Sequence, residues 1–305
     1  MSNYRFQLEK YSGMKSRYIC PRCNKKVFTR YFDQDFQEHI DVTVGRCNRE
    51  EKCGYHYTPR MFYKNKKIPK STSSRLNRKK VLPLKTYYFN RELVDFSNDN
   101  EVKLSSLYQF LVKKFDVDKV DRTFKRYQVG TSNKWRRSTV FWQIDSNENI
   151  RSGKIMCYDS ITGKRDKKKF NWHKVPDGFK MEQCLFGAHL LANFPQNCDV
   201  GIVESEKTAL ICDIALNGKM LWLATGGLQG LNKDKLLEFR SRNIFLFPDL
   251  SSKNTKVSAF SSWKKKGSII GKELNIDIRV NTLLETIATE TQREEQWDLA
   301  DYLLS

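Results

Sequence analysis

Apolar runs separated by helix-like segments dominate the last third of the chain. The run 200–203 predicts a short buried strand, and the apolar positions spaced along 207–216 predict the helix that follows it. Two more apolar runs, within 220–231 and 243–250, predict further strands, and the first of these continues into a glycine-rich loop. Since strands that alternate with helices form parallel sheets with right-handed crossovers, the pattern predicts an α/β domain with helices on both faces of its sheet.

Acidic residues follow two of these predicted strands. Glu204 comes directly after the first strand, and Asp249 lies just past the apolar part of the third. Carboxyl ends of parallel strands share one edge, where open α/β sheets bind ligands, so both acids are expected beside Gly226 and Gly227. Carboxylates at such an edge suit Mg²⁺ or Mn²⁺, which takes one or two of them together with phosphate oxygens. Glu206 is near the same edge, but a favourable interaction of its charge with the N-terminal end of the following helix explains its presence equally well.

The middle of the chain has a different pattern. Two short amphipathic helical patterns within 105–130 precede strand-like runs at 138–145, 150–159 and 170–173, which together predict a mixed α+β subdomain. Basic side chains and tryptophans on these strands and turns suit phosphate contacts and base stacking, although an ordinary solvated sheet face remains the alternative for any single residue. The predicted nucleic-acid contacts are Arg136, Arg137, Arg151, Lys154, Lys164, Arg165 and Trp172.

Two close cysteine pairs, in C-x2-C and C-x5-C patterns, lie near the N-terminus. They are Cys20, Cys23, Cys47 and Cys53. Cysteine pairs on tight turns beside short β-like stretches, here 26–32 and 39–45, predict a zinc ribbon with one structural tetrahedral zinc ion. The C-x5-C spacing is loose, which leaves His56 as an alternative to Cys53.

The net charge of the chain indicates which class of partner it binds. With 55 Lys and Arg against 35 Asp and Glu, the net charge is +20, which favours a polyanion such as a nucleic acid. Because no window approaches the ~18 consecutive apolar residues of a membrane span, we expect a cytoplasmic protein without membrane contact. The segment 60–91 holds eleven Lys and Arg and no acid, which is typical of a linker or of an arm that grips a nucleic-acid strand.

Several motifs carry a family resemblance. "VESEKTAL", "ATGG" and "FPD" resemble the toprim domain of bacterial and phage primases, and "TVFWQIDSNENIRSGKIMCYDSITGKR" is similar to the basic subdomain that precedes it. "CLFGAHLLAN" resembles the segment linking the two, and the cysteine module resembles the zinc-binding domain of such primases. The layout looks closest to the small primase-like proteins of bacterial mobile elements.

The resemblance implies roles for individual residues. Glu204 and Asp249 would bind the catalytic divalent metal, and Lys207 would lie near the nucleotide phosphates. The third strand of the family usually ends in D-x-D, whereas this chain has Ser251 at the second acidic position. A later acidic motif of primases corresponds to Asp298 and Asp301, which are explained equally well as a helix cap and a solvated helix face.

The sequence therefore predicts a zinc ribbon at 1–62, a basic linker at 63–92, a basic α+β subdomain at 93–195 and a toprim domain at 196–305. The leading hypothesis is a DNA primase-like nucleotidyltransferase that binds a single-stranded DNA template and NTPs and uses Mg²⁺ or Mn²⁺. The alternatives are a non-catalytic nucleic-acid-binding protein with a degenerate metal site, for which Ser251 is the indication, and a toprim nuclease. A topoisomerase is disfavoured because the chain is too short for strand-gate domains, and without a Walker A pattern any helicase would be a separate protein.

Overall fold

The computed structural model describes residues 4–50, 52–65, 84–98 and 100–305. The chain falls into two compact units, Met1–Leu82 and Pro83–Ser305. The predicted linker lies in large part outside the described residues. Within the described residues, none of the helices has the length and apolar character needed to cross a bilayer.

Unit 1 is a small antiparallel β structure built around one long strand. This strand, β3, pairs with β1, β2, β4 and β5, and β6 extends the sheet beyond β5. A cluster of Cys20, Phe28 and Cys47 forms the buried centre, so little apolar surface supports this unit. The elements are β1 (Phe6–Leu8), β2 (Tyr18–Ile19), β3 (Lys26–Asp33), β4 (Glu38–His39), β5 (Gly45–Cys47), β6 (His56–Tyr57) and α1 (Pro59–Asn65).

The strand predicted over 39–45 is wrong in extent, because only its two ends lie in strands. A turn interrupts it at Asp41, whose side chain accepts hydrogen bonds from the backbone N–H of Thr43 (2.9 Å) and from its hydroxyl (2.7 Å). Aspartate favours such turns because its short carboxylate bonds to the backbone two residues on.

Unit 2 begins with helices packed beside an antiparallel sheet of three strands in the order β10-β9-β8. The two helices predicted within 105–130 are present, each capped by a side chain, from Ser105 and Asp116 respectively. Every residue of β8 is buried, and Phe141 joins the main core of the unit. The elements are β7 (Lys85–Thr86), α2 (Arg91–Ser97), α3 (Ser106–Leu111), α4 (Val117–Arg126), β8 (Thr139–Ile144), β9 (Ile150–Tyr158), β10 (Arg165–Trp172) and β11 (Phe179–Lys180).

A parallel four-stranded sheet in the order β13-β12-β14-β15 completes unit 2. The chain moves to one side from β12 to β13 and to the other side from β13 through β14 to β15. Right-handed crossovers therefore place α5 on one face and α7 on the other, which confirms the predicted α/β class. The elements are β12 (Val200–Val203), α5 (Glu206–Ala215), β13 (Leu221–Ala224), α6 (Lys233–Leu236), β14 (Ile244–Phe247), α7 (Ala259–Leu274), β15 (Ile278–Val280), α8 (Leu283–Ile287), α9 (Glu290–Glu294) and α10 (Leu299–Leu304).

Helix α5 lies in the centre of this packing. It contacts β12 and β13 on one side and α4 and α10 on others, so almost its whole length is buried. Asp213 of α5 is buried and ion-paired with Arg126 of α4, and it also accepts a hydrogen bond from Thr123 (2.9 Å). This polar contact fixes the α+β part of unit 2 against the parallel sheet.

Candidate functional site

The four predicted zinc ligands lie together in unit 1. All four Sγ atoms are within 4.8 Å of one another. The Sγ atoms of Cys20 and Cys53 are 3.8 Å apart, and those of Cys23 and Cys47 are 3.9 Å apart. Because Zn–S bonds are about 2.3 Å long, sulfurs at the corners of a tetrahedron around zinc lie about 3.8 Å apart. The cluster therefore fits a structural zinc ion.

The surroundings of the cluster support Cys53 as its fourth member. His56 is exposed, and its Nε2 lies 2.9 Å from the hydroxyl of Tyr31, on whose ring it stacks. The backbone N–H of Lys25 lowers the pKa of Cys23 to about 6. Burial has the opposite effect on Cys47 and raises its pKa to about 12. Zinc binds the thiolate form of each cysteine, so zinc binding would release the remaining thiol protons.

Glu204 and Asp249 lie at the carboxyl ends of two paired strands. Val203 of β12 is the register partner of Phe247 of β14, and the two acids follow these positions by one and two residues. The backbone nitrogen of Asp249 is 3.4 Å from Oε1 of Glu204. Glu204 is 9% exposed, and Oδ1 of Asp249 is buried without a hydrogen-bond partner among the described residues. The two carboxylates thus meet at the sheet edge.

The pKa values of the acids at this edge are raised by burial and by their mutual repulsion. Burial raises the pKa of Glu204, and the charge of Asp298 raises it further. Burial also raises the pKa of Asp249 well above its usual range, the charge of Glu204 adds to this, and the ammonium of Lys207 opposes it. Neighbouring carboxylates that resist ionisation are stabilised by a cation placed between them.

Asp298 and Asp301 are near these carboxylates but have structural contacts of their own. Asp298 caps α10: its Oδ1 accepts from the backbone N–H of Asp301 (2.9 Å), whose Oδ2 accepts from the backbone N–H of Asp298 (3.1 Å). The other oxygen of Asp298 accepts from the hydroxyl of Thr208 at 2.5 Å. Both acids therefore belong to the cap of α10, and Asp298, which is 8% exposed, does not lie on a solvated helix face.

The glycine loop after β13 is held by a buried ion pair. Nζ of Lys154 donates to both carboxylate oxygens of Glu206 (2.9 and 2.8 Å) and to the carbonyl of Gly226 (3.2 Å). Lys154 is 5% exposed and Glu206 is 1% exposed. Gly226 and Gly227 have φ of +82° and +138°, and a Cβ on Gly226 would lie 3.3 Å from Glu206. Lys154 thus lies inside the unit and not on the solvated sheet face that its predicted nucleic-acid contact requires.

The other predicted nucleic-acid contacts divide into two groups. Arg151 is engaged with Asp145 (2.6 Å) and Glu182 (3.4 Å), and Trp172 is half-buried, with its ring 5.8 Å from Nζ of Lys154. The second group is exposed, makes no ion pair with any described residue, and lines a cavity of about 670 Å³ that also includes Lys169 and Asp159. This group consists of Arg136, Arg137, Lys164 and Arg165.

Sequence reasoning missed three contributions to the site. Thr208 positions Asp298, Ser251 accepts a hydrogen bond from the backbone N–H of Ala259 (2.8 Å), and Lys266 interacts electrostatically with Glu204. Thr208 lies in the first turn of α5, close in sequence to Glu204, but its partner Asp298 is 90 residues away. The other two contacts join segments far apart in the sequence.

Comparison with known proteins gives two family models and a set of solved structures. Residues 4–68 match a zinc beta-ribbon finger model, and residues 105–250 match a domain of unknown function, DUF6371. No curated protein matches the chain in sequence. The zinc-ribbon match agrees with the four-cysteine cluster.

The solved structures that are similar to this chain include DNA primases. The primase fragment of the bacteriophage T7 primase-helicase is 14% identical, with a TM-score of 0.41 over 92% of this chain and 98% of that one. The E. coli primase catalytic core is 13% identical, with a TM-score of 0.43 over 70% and 80%. The Aquifex aeolicus primase, with zinc-binding and RNA polymerase domains, is 13% identical, with a TM-score of 0.40 over 96% and 81%.

Proposed function

We propose that the protein is a primase-like nucleotidyltransferase that binds a single-stranded DNA template and joins NTPs in a reaction dependent on a divalent metal. The meeting of Glu204 and Asp249 at the edge of the parallel sheet carries this proposal, because one oxygen of Asp249 is buried without a partner among the described residues. Carboxylate oxygens of this kind are the donors that Mg²⁺ and Mn²⁺ prefer.

Each part of the site then has a role. Glu204 and Asp249 hold the cation, which when bound neutralises phosphate charge during phosphoryl transfer. Lys207, half-buried beside Asp249, contacts the nucleotide phosphates. The positive φ of Gly226 and Gly227 shapes a loop without side chains, which lets phosphates approach the backbone closely.

The unpaired cations around the 670 Å³ cavity bind the template. Arg136, Arg137, Lys164 and Arg165 are free to neutralise phosphates, since none is ion-paired with a described residue. This interaction is independent of sequence and weakens with salt. The zinc ion stabilises unit 1, whose apolar centre is small.

The test is primer synthesis on a single-stranded template with NTPs and Mg²⁺ or Mn²⁺. We expect Glu204→Gln and Asp249→Asn to abolish synthesis while template affinity changes less than about twofold, because the cation-binding acids are separate from the basic cavity. Asp277→Asn is the matched control, since Asp277 is an exposed acid paired with Arg279 before β15, and it should retain wild-type synthesis.

Equal synthesis by Glu204→Gln and wild type would refute the metal site. A wild type that binds DNA but neither synthesises nor cleaves would favour the non-catalytic alternative. That alternative is supported by Ser251, whose hydroxyl is engaged at the start of α7. Cleavage without synthesis would favour a nuclease.

A further inference from the structure

A cavity of about 500 Å³ lies against the face of α4 that is turned away from α5. Thr123 and Arg126, on the opposite face of α4, both bond to Asp213 of α5. The cavity is therefore separate from the acids at the sheet edge, which lie near the start of α5. Three residues of α4 line the cavity with the i, i+3 and i+4 spacing of a single helix face, and they are Asp121, Phe124 and Lys125.

The lining of this cavity combines buried apolar side chains with a few polar groups. Phe124 and Val129 are 3% and 2% exposed, and the ring of Tyr108 packs edge-to-face on Phe124 with the centroids 5.3 Å apart. Asp121 fixes this wall, because it accepts hydrogen bonds from the hydroxyl of Tyr108 (2.6 Å) and from Nζ of Lys103 (2.7 Å). Pockets for small molecules have this composition and a volume of about 300–1,000 Å³.

Gln128, which lines the same cavity, has two features that do not stabilise the fold. It follows Tyr127, the C-cap of α4, and its φ is +52°, in the left-handed region that glycine and asparagine usually occupy after a helix. Its Oε1 is buried without a hydrogen-bond partner among the described residues. A strained backbone and an unpaired buried acceptor on one residue point to a binding role, because each is unfavourable for folding.

The amide of Gln128 and the cation beside it indicate the class of ligand. A glutamine amide pairs with adenine through two hydrogen bonds, in which it accepts from the N6 amino group and donates to N7. Rotation about the last side-chain torsion, which is broad for glutamine, turns both amide atoms toward the cavity. Lys125 is exposed and makes no ion pair with another described residue, so its ammonium is available to a phosphate.

We propose that this cavity binds an adenine nucleotide, with the base against Phe124 and hydrogen-bonded to Gln128, and with the phosphate at Lys125. A free mononucleotide and an adenine residue of a bound strand present the same base and phosphate, so the experiment below distinguishes these two sources. The site goes beyond the proposed function, and it requires neither Glu204 nor a divalent metal.

The experiment is calorimetric titration of the zinc-loaded full chain with AMP, in buffer without added magnesium or manganese. We expect one AMP per chain. GMP and UMP should bind about 5- to 150-fold more weakly, which is the discrimination expected from one bidentate pair between an amide and a base. Adenosine should bind about two- to fivefold more weakly than AMP, because it lacks the phosphate that an exposed ammonium binds.

The variant Gln128→Gly separates binding from folding. Glycine adopts a φ of +52° without strain, so this variant should be no less stable than wild type in thermal unfolding, while its affinity for AMP falls by about 5- to 150-fold. Lys125→Met should lower the affinity for AMP to that for adenosine and leave adenosine binding unchanged. Lys114→Met, at an exposed lysine between α3 and α4, is the matched control and should bind AMP as wild type does.

The absence of saturable AMP binding up to about 1 mM would overturn the proposal, as would full retention of AMP binding in Gln128→Gly. AMP binding that is lost in Glu204→Gln and kept in Gln128→Gly would assign the nucleotide to the sheet edge. That result would overturn this inference and leave the proposed function intact. AMP binding that depends on Gln128 in a protein without primer synthesis would do the reverse.

Single-stranded oligonucleotides identify the source of the nucleotide. If oligo(dA) displaces AMP, and Gln128→Gly weakens the binding of oligo(dA) but not of oligo(dT), the site holds an adenine residue of a strand. If AMP and oligo(dA) bind to the chain together, the site holds a free nucleotide. Both results support an adenine nucleotide site, since both require that the cavity recognises the same base.

Discussion

Replacing Lys154 by methionine tests how far the ion pair with Glu206 stabilises unit 2. Lys154 and Glu206 are 5% and 1% exposed, and the pair has two N–O distances of 2.9 and 2.8 Å. Lys154→Met leaves the carboxylate of Glu206 buried without a counterion, and removing one partner of such a pair costs about 3–5 kcal/mol. For a unit of this size, about 2–4 °C of Tm is lost per kcal/mol, so we expect the Tm to fall by roughly 6–20 °C.

The cost should come from the unpaired charge and not from the lost contact area. We therefore expect the double variant Lys154→Met/Glu206→Met to be far more stable than Lys154→Met, because apolar side chains of similar volume replace buried ion pairs at little cost. The exposed Lys169 on the neighbouring strand β10, which is 3.6 Å from Asp166, is the control, and Lys169→Met should change stability by less than about 0.5 kcal/mol.

Urea and thermal unfolding of zinc-loaded protein, followed by tryptophan fluorescence, measure these differences. A loss below about 1 kcal/mol in Lys154→Met would refute the reasoning. So would a double variant that loses the sum of the losses measured separately in Lys154→Met and Glu206→Met. The first result would mean that water reaches Glu206. The second would mean that the two charges do not interact.

Three more predictions follow from the sites described above. Cys47→Ser should lose the single zinc ion of the chain, which elemental analysis measures, and full retention of zinc would contradict the four-cysteine site. Asp249→Asn should raise the Tm in the absence of divalent metal, and the increase should grow as the pH rises above the ordinary carboxyl range. The reason is that the raised pKa of Asp249 makes its ionisation unfavourable in the folded state. A Tm difference that is independent of pH, or a lowered Tm, would contradict the repulsion between Glu204 and Asp249. The logarithm of affinity for single-stranded DNA should fall linearly with the logarithm of salt concentration. The double variant Arg136→Ala/Arg137→Ala should reduce the magnitude of this slope by about 1.4, since each phosphate contact contributes about 0.7. An unchanged slope would show that this surface does not bind the DNA, and Arg279→Ala is the control.

The sequence predicted the parallel sheet well because its strands are buried on both faces. β12 consists of the four residues predicted for it, all of them buried, and an uninterrupted apolar run is the signal that such a strand leaves. The edge strand β10 shows the opposite case. The sequence predicts a strand there only from residue 170, whereas β10 begins at Arg165. Residues 165–169 are mostly basic and give no apolar pattern from which a strand could be predicted.

Helix limits depended on capping that the apolar pattern does not show. The sequence pattern predicts a helix around 255–264, whereas α7 begins at Ala259 and ends at Leu274. The side chain of Ser258 accepts a hydrogen bond from the backbone N–H of Ser261 at its start, and Asn275, with a φ of +55°, follows its end. Serine before a helix and asparagine after it are both common caps. The local sequence therefore contained the correct caps but did not distinguish them from other possible cap residues nearby.

At the candidate site, local sequence indicated which acids matter but not which partners they have. Glu204 and Asp249 could be placed because parallel strands share an edge. The pairing of Lys154 with Glu206 and the contact of Thr208 with Asp298 join residues 52 and 90 positions apart, respectively. A single sequence does not encode such distances in any local pattern, and a basic residue in a basic region is read as a surface residue.

The register between β12 and β14 makes the spacing of Glu204 and Asp249 independent of the chain that connects them. Val203 and Phe247 are register partners in adjacent parallel strands, which lie about 4.8 Å apart in any sheet. Residues inserted into the loop at 217–219 would lengthen the connection between β12 and β14 without moving either acid. This loop is therefore a suitable place to introduce a fluorescent label or a short peptide tag for following metal and nucleotide binding. A single-residue deletion within β14, in contrast, would turn Asp249 toward the other face of the sheet.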